Sequence, residues 1–374
     1  MTTVRVLIVD DSAVIRRVLR EALLSDAMVE LAGIAADGLS ALKRIEETKP
    51  DLVTLDVELP GMSGLETLKE IRARWPKLPV IMFSTLTERG AVTTLEALTL
   101  GASDYVTKPC NSGNVEETKL KISAELIPKI KALCERRQVA RGFTAVRAPV
   151  VPPPSELTAR IARKPARIEI VAVGTSTGGP NALGEFLPKI TRALAVPIVL
   201  VQHMPALFTR YLAERLAKLC ALRVAEGNDG QEIRAGEVWI APGDYHMTVE
   251  KSDRHIKLRM NQQPRENSCR PAVDVLFRSV AEVFGGSALG VVLTGMGSDG
   301  VRGADSICAR GGKVIVQDEA SSVVWGMPGQ VAAAGFADGV YPLSEMAREV
   351  EQRVAESAGA SLLGSYLQLQ REIN

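Results

Sequence analysis

The alternation of short apolar, β-branched runs with stretches of helical period constrains this chain more than any other feature. Strand-like runs recur at Val4–Val9, Val29–Ala35, Leu52–Leu55, Val80–Phe83 and Tyr105–Thr107. Between them, Ser12–Leu24, Leu39–Thr48, Gly64–Trp75 and Ala91–Leu100 space apolar residues three and four apart, as Ile15, Val18, Leu19 and Leu23 do. Ser12 suits the N-cap of the first helix, and a fifth helix is expected from about Val115 to Arg137. Five such units imply a five-stranded parallel, doubly wound sheet, flavodoxin-like in form. Ligands of such sheets bind at the carboxyl ends of the strands.

A second α/β pattern begins at Ile168. Its expected strands are Ile168–Val173, Pro197–Val201, Glu237–Ala241, Ala288–Leu293 and Lys313–Val316. Its expected helices include Pro180–Leu187, Phe208–Leu219, Ala272–Phe284 and Gly303–Ala309, again a doubly wound α/β domain. The two halves share a fold class but no motif. The expected division is 1–128 for the first domain, 129–167 for a linker, 168–355 for the second domain and 356–374 for a tail. The linker holds Val151-Pro152-Pro153-Pro154 among Arg136, Arg137, Arg141, Arg147, Arg160, Arg163, Lys164 and Arg167. It reads as a solvated hinge in preference to a docking site for an acidic partner.

Composition excludes several classes. The formal net charge is +1, which gives no basic field for nucleic acid, and no helix-turn-helix pattern follows the first domain. No apolar run approaches the ~18 residues of a membrane span, and Met1–Arg5 leads straight into a strand, so neither membrane insertion nor export is expected. The five cysteines (Cys110, Cys134, Cys220, Cys269 and Cys308) are scattered, with no Cys-x-x-Cys. That suits a reducing cytoplasm and argues against disulfides or zinc.

Asp10 and Asp11 close the first strand and Asp56 the third. In a doubly wound sheet these strands are neighbours, so three carboxylates meet at one edge. They cannot all ionise without a cation, and a hard divalent ion, Mg²⁺, answers the need. Lys108 follows the fifth strand and Ser84 ends the fourth; an ammonium and a hydroxyl there suit phosphoryl oxygens. Asp56 is then the nucleophile of an aspartyl phosphate. Any one acid alone reads as a solvated strand end; the set does not.

The second half opens with Gly174-Thr175-Ser176-Thr177-Gly178-Gly179-Pro180, running from strand to turn to helix. This is G-x-S-x-G, in which glycines allow the sharp turn that lifts a serine above the sheet. The helix start offers N–H groups to an oxyanion. The glycines spell neither a dinucleotide loop nor a Walker loop, although a purely structural turn remains an alternative. A nucleophilic Ser176 needs a base, and only His203, His246 and His255 exist. His203 follows the strand Pro197–Val201, at the same sheet edge, and is favoured. His255 lies in the charged run Lys251–Met260, which reads as an exposed strand. His246 fits either a substrate contact or a turn. Asp299, just after the strand Ala288–Leu293, is favoured as the orienting acid over Asp244 and Asp318. Its Gly-rich loop lets the Met296 backbone approach a substrate closely.

The first domain resembles the response-regulator receivers throughout: Asp10, Asp11, Asp56, Ser84, Tyr105 and Lys108-Pro109 fall on that family's positions. The resemblance implies Asp56 as phosphoacceptor, the acidic pair as Mg²⁺ ligands, and Ser84 with Tyr105 as a switch pair. With the second half included, nearly the full chain resembles the chemotaxis protein-glutamate methylesterases, the CheB family. Gln202-His203-Met204-Pro205, Ala241-Pro242-Gly243-Asp244, Ser268-Cys269-Arg270-Pro271-Ala272-Val273-Asp274 and Val324-Trp325-Gly326-Met327-Pro328 carry the match. It implies Ser176 as nucleophile, His203 as base, Asp299 as its orienter, and the Thr177 and Met296 backbones as oxyanion donors, with no cofactor in the esterase site.

The implied activity is hydrolysis of glutamyl methyl esters on a methyl-accepting chemoreceptor, with deamidation of receptor glutamines through the same acyl-enzyme. A histidine kinase is the implied phosphodonor, and the unphosphorylated receiver is expected to cover the active site. A receiver-controlled serine hydrolase of another substrate class, or a phosphorylation-dependent binding module, are the competing readings.

Overall fold

The computed structural model describes residues 3–108, 115–140, 166–252 and 255–373. The chain divides into two compact units, Met1–Ala148 and Pro149–Asn374. Pro109, Cys110 and residues 141–165 of the Pro- and Arg-rich linker lie outside the described residues, and residues 129–140 belong to the last described helix of the first unit.

The first unit alternates β1 (Val4–Val9), α1 (Ala13–Leu23), β2 (Val29–Ala35), α2 (Gly38–Thr48), β3 (Leu52–Asp56), α3 (Gly64–Arg74), β4 (Val80–Thr85), α4 (Glu88–Thr99), β5 (Asp104–Lys108) and α5 (Val115–Ala140). The strands form one parallel sheet in the order β2-β1-β3-β4-β5. β3 is buried along its whole length, as strands covered on both faces must be, which explains the unbroken apolar runs in the sequence. The helix starts are set by side chains: Ser12 accepts from the Ile15 N–H, and Asp37 and Ser63 close reciprocal capping boxes on α2 and α3.

The second unit runs β6 (Ile170–Thr175), α6 (Gly179–Phe186), β7 (Ile198–Gln202), α7 (Phe208–Leu219), β8 (Arg223–Glu226), β9 (Glu237–Ile240), β10 (His246–Ser252), β11 (His255–Asn261), α8 (Val273–Phe284), β12 (Ala288–Val292), α9 (Val301–Ala309), β13 (Lys313–Gln317), α10 (Met327–Ala333), β14 (Gly339–Tyr341) and α11 (Leu343–Ile373). Seven of these strands make a parallel sheet ordered β14-β13-β12-β6-β7-β9-β8. The chain builds outward from β6 through β7 and then returns to lay β12 on the other side. The switch point therefore falls between β6 and β12, where such sheets open a crevice. Phe186, Phe208 and Phe277 are among the largest fully buried side chains and clamp helices to the sheet. Gly174 lets α8 approach: a Cβ there would lie 2.4 Å from Val273 Cγ1.

The run Lys251–Met260 is not one strand. It is divided between β10 and β11, which pair antiparallel with His246 opposite Asn261 and Ser252 opposite His255. Residues 356–373 continue α11.

Candidate functional sites

In the first unit, Asp10 is fully buried and Asp56 2% exposed, both at the carboxyl edge of adjacent strands. Asp11 beside them is exposed. One carboxylate oxygen from each of the three lies within 4.8 Å of the others. Lys108 Nζ sits 2.7 Å from Asp56 Oδ2 and 3.0 Å from Asp10 Oδ2. The second contact is an ion pair without hydrogen-bond geometry, so Asp10 Oδ2 is buried with no hydrogen bond among the described residues. Burial pushes the Asp56 carboxyl up, and Asp10 adds to this against the pull of Lys108, leaving it at about 6. A buried acceptor without a donor, next to an acid held above its ordinary range, is a site short of positive charge. A hard divalent cation fits this donor set.

Ser84 Oγ donates to the Gly90 carbonyl at 3.2 Å. Tyr105 is 5% exposed, with the Lys129 ammonium 5.1 Å from its ring centroid. Burial drives the Tyr105 phenol well above its ordinary value.

In the second unit the turn after β6 is shaped by close packing. Gly178 adopts φ +79°, and a Cβ on Gly179 would lie 1.9 Å from Gln202 Oε1 and 2.5 Å from Thr175 Oγ1. Only glycine relieves both demands. The Ser176 N–H donates to Thr294 O (3.1 Å), and the His203 N–H to Thr175 O (3.2 Å). Gln202 Nε2 donates to both the Ser176 and His203 carbonyls, at 3.0 and 3.3 Å. Ser176, His203 and Asp299 thus follow β6, β7 and β12, three adjacent strands. Thr177 is buried, its carbonyl accepting from Thr294 Oγ1 (3.0 Å). Met296 lies in the loop beside Ser176, since a Cβ on Gly295 would sit 3.0 Å from Ser176 Cβ.

His203 Nε2 lies 2.8 Å from Asp299 Oδ2. Its Nδ1 faces Cys269 Sγ at 3.6 Å. Among the described residues the Ser176 hydroxyl has no hydrogen bond to either ring nitrogen. Burial pulls the imidazole down, but Asp299 and Cys269 outweigh it and lift His203 to about 10. The pairing with Asp299 thus favours the protonated form of the ring. Asp299 Oδ2 also accepts from the Val273 N–H (2.7 Å), while Oδ1 accepts from Asn267 Nδ2 (2.8 Å) and the Asp274 and Gly300 N–H groups (3.0 Å each). Burial pushes this carboxyl up, yet His203 and the backbone donors hold it below its ordinary value.

The rival residues lie elsewhere. His246 is 1% exposed, with Nε2 3.1 Å from Pro264 O. His255 is exposed and pairs with Glu232 at 2.9 Å. Asp244 accepts from Arg270 (Nη2 at 2.7 Å), and Asp318 from the Ser321 N–H (3.0 Å). Cys269, Asn267 and Asp274 around His203 and Asp299 were given no role on sequence grounds. Cys269 and Asp274 stood within a recognised motif, but nothing in spacing says that they meet Asp299 or His203.

Fold and site define a class: a receiver-type α/β unit followed in the chain by a parallel-sheet hydrolase unit whose polar side chains gather at a switch point. Residues 6–118 match the response regulator receiver domain, and residues 171–350 match the CheB methylesterase. The chain is 49% identical over 356 residues to a protein-glutamate methylesterase/protein-glutamine glutaminase of Trichodesmium erythraeum, covering 95% of this chain and 100% of that one. A protein of the same description from a Nocardioides species is 48% identical over 358 residues, covering 95% of this chain and 96% of the other. The chain belongs to the CheB methylesterase family, and it is a hydrolase of the protein-glutamate methylesterase/protein-glutamine glutaminase type. Among the described residues no helix is long and apolar enough to cross a membrane.

Proposed function

We propose that the chain is a phosphorylation-activated esterase that removes methyl groups from glutamyl esters of chemoreceptors, with Ser176 as nucleophile. The observation that carries this reading is the meeting of the Ser176 turn with the His203–Asp299 pair at the switch point of the second sheet. His203 sheds its resting proton and turns from Cys269 toward Ser176, as catalytic contacts tighten in a substrate complex. Ser176 Oγ then attacks the ester carbonyl carbon while His203 takes the hydroxyl proton. The N–H groups of Thr177 and Met296 hold the oxyanion. Collapse breaks the bond between the acyl carbon and the methoxy oxygen, and His203 returns the proton to that oxygen so that methanol leaves. Water, deprotonated by His203, attacks the acyl-enzyme and releases glutamate. A glutamine side chain follows the same path with ammonia leaving.

In the receiver, Asp56 accepts the phosphoryl group from a histidine kinase. Asp10, Asp11 and Asp56 would hold Mg²⁺, which would supply the positive charge that the phosphoryl oxygens need. Ser84 and Lys108 contact those oxygens, and Ser84 with Tyr105 relays the change. Phosphorylation shifts the population of the whole chain toward its active form.

The test is methanol release from methylated receptor membranes, with wild type and Ser176→Ala, each with and without acetyl phosphate plus Mg²⁺. Release by wild type, raised by the phosphodonor and lost in Ser176→Ala, is expected. No release from folded wild type under any condition would overturn the reading.

A further inference from the structure

Asp299 and Asp274 cap each other's helices. Asp299 stands just before α9, yet its carboxylate accepts the first N–H groups of α8, those of Val273 and Asp274. Asp274 stands in the first turn of α8, yet its Oδ1 accepts the N–H groups of Gly300 (2.9 Å) and Gly303 (2.7 Å) at the start of α9. Each carboxylate thus meets the positive end of the other's helix. They are like charges in a buried place, and burial with Asp299 nearby pushes the Asp274 carboxyl up.

One side chain reconciles them. Asn267 Nδ2 gives one hydrogen to Asp299 Oδ1 at 2.8 Å and the other to Asp274 Oδ2 at 2.9 Å. The backbone is bent to deliver this amide: Asn267 has φ +51° and Ser268 φ +64°, a region that residues with a Cβ seldom adopt. We infer that Asn267 is a positioning residue for the esterase reaction, an amide clamp that fixes Asp299 against His203 by tying it to Asp274. Among the described residues its side-chain hydrogen bonds go to the two carboxylates and not to His203, so it acts through Asp299. The inference rests on the esterase reading for its kinetic test, but the geometry it invokes does not.

Two variants separate positioning from folding. Asn267→Gly keeps the φ +51° backbone at no steric cost and removes the donor. Asn267→Asp keeps the shape and replaces the donor with a third carboxylate. The charged and titratable groups around the unit are His203, Cys269, Asp274, Glu266, Arg278 and Arg302. Removing a donor from Asp299 leaves its negative charge less compensated, so the imidazolium it pairs with is held more tightly. A hydrogen bond to a charged group is worth enough to move a titration by about one pH unit.

The experiment uses the full chain and two readouts. The first is methanol release from methylated receptor membranes as a function of pH. Both variants are expected to lower kcat about 10- to 100-fold, the rate equivalent of one hydrogen bond to a charged group, with KM unchanged, and the ascending limb in Asn267→Asp moves to higher pH. The second is the His203 titration followed by NMR of ¹⁵N-histidine-labelled protein, which needs no turnover. Its midpoint is expected to rise in both variants, most in Asn267→Asp. Variants with the wild-type His203 midpoint, kcat and pH limb would overturn the clamp while leaving an active wild type, and so the esterase reading, intact. An inactive wild type would sink the esterase reading, and the NMR midpoint would still decide on the clamp.

Discussion

Consider Asp299→Asn. The carboxylate has two oxygens with unequal duties: Oδ1 accepts from three donors and Oδ2 from two. An amide nitrogen placed at Oδ1 would face three donors, at Oδ2 only two, so it settles at Oδ2, against His203 Nε2 and the Val273 N–H. Two hydrogen bonds to a charged acceptor are lost, at about 1.5–3 kcal/mol each, giving a loss of about 3–6 kcal/mol. That is below or near the whole stability of a typical domain, so measurements belong at low temperature on protein shown to be folded. The chemical effect is larger than the packing effect. His203 Nε2 now meets a donor, the ring takes the wrong tautomer, and nothing stabilises the imidazolium; in serine triads of this kind the cost is about 10⁴ in kcat. The carboxylate is also a main reason that His203 stands at about 10. The sign follows: a base must be neutral to work, so wild-type activity climbs with pH above the ordinary histidine range, and the limb falls toward about 6.5 in the variant. Methanol release against pH, with a denaturant melt on each protein, reads both. A variant retaining more than about a tenth of wild-type kcat, with its limb unmoved, would refute the role of Asp299 and the account of His203.

The first unit offers a pH test of opposite sign. Asp56 is held at about 6, above the carboxylate range, so its contribution to folding is full below about pH 4 and lost as pH rises through 6. The receiver melting transition of the full chain is expected to fall between pH 4 and 7 in wild type and to flatten in Asp56→Asn; identical profiles would dismiss the burial argument. At pH 7, Mg²⁺ is expected to raise that transition in wild type and to do so weakly in Asp10→Asn, and an equal rise in both would remove Asp10 from the cation site. Gly179→Ala drives a Cβ to 1.9 Å from Gln202 Oε1, whose own amide nitrogen is tied to Ser176 and His203. Overpacking of this kind costs about 1–3 kcal/mol, and methanol release should fall with it. Unchanged melting and activity would show that the turn has room to spare.

The sequence made the sheets legible because both are buried on two faces. Runs such as Leu52–Leu55 and Ile168–Val173 are continuous and apolar, and helical period separates them. The acids and the serine were legible by position, each just past such a run. What the sequence hid was of two kinds. Short or atypically bounded elements were missed. β8 has only four residues at the sheet edge, and in the sequence the end of β10 at Ser252 and the start of β11 at His255 are separated by no Gly or Asn that would signal a hairpin. The other hidden part was tertiary. His246, ambiguous in sequence, spends its Nε2 on a loop carbonyl. Cys269, Asn267 and Asp274 acquire meaning only when α8 is laid over β6. No spacing rule says that the amide of Asn267 meets two carboxylates, because both contacts depend on how two helices approach one sheet.

The order of the strands has a consequence for the newly made chain. β6, which leads into Ser176, is the first strand of its sheet to leave the ribosome, and it becomes the sheet's centre. Its partner on one side, β7, follows soon after, but β12 on the other side is made only after the hairpin and α8. A growing chain that has already produced Ser176 and His203 therefore has no place to assemble Asp299 beside them. If these three residues form the proposed catalytic set, that set is completed late in synthesis and all at once.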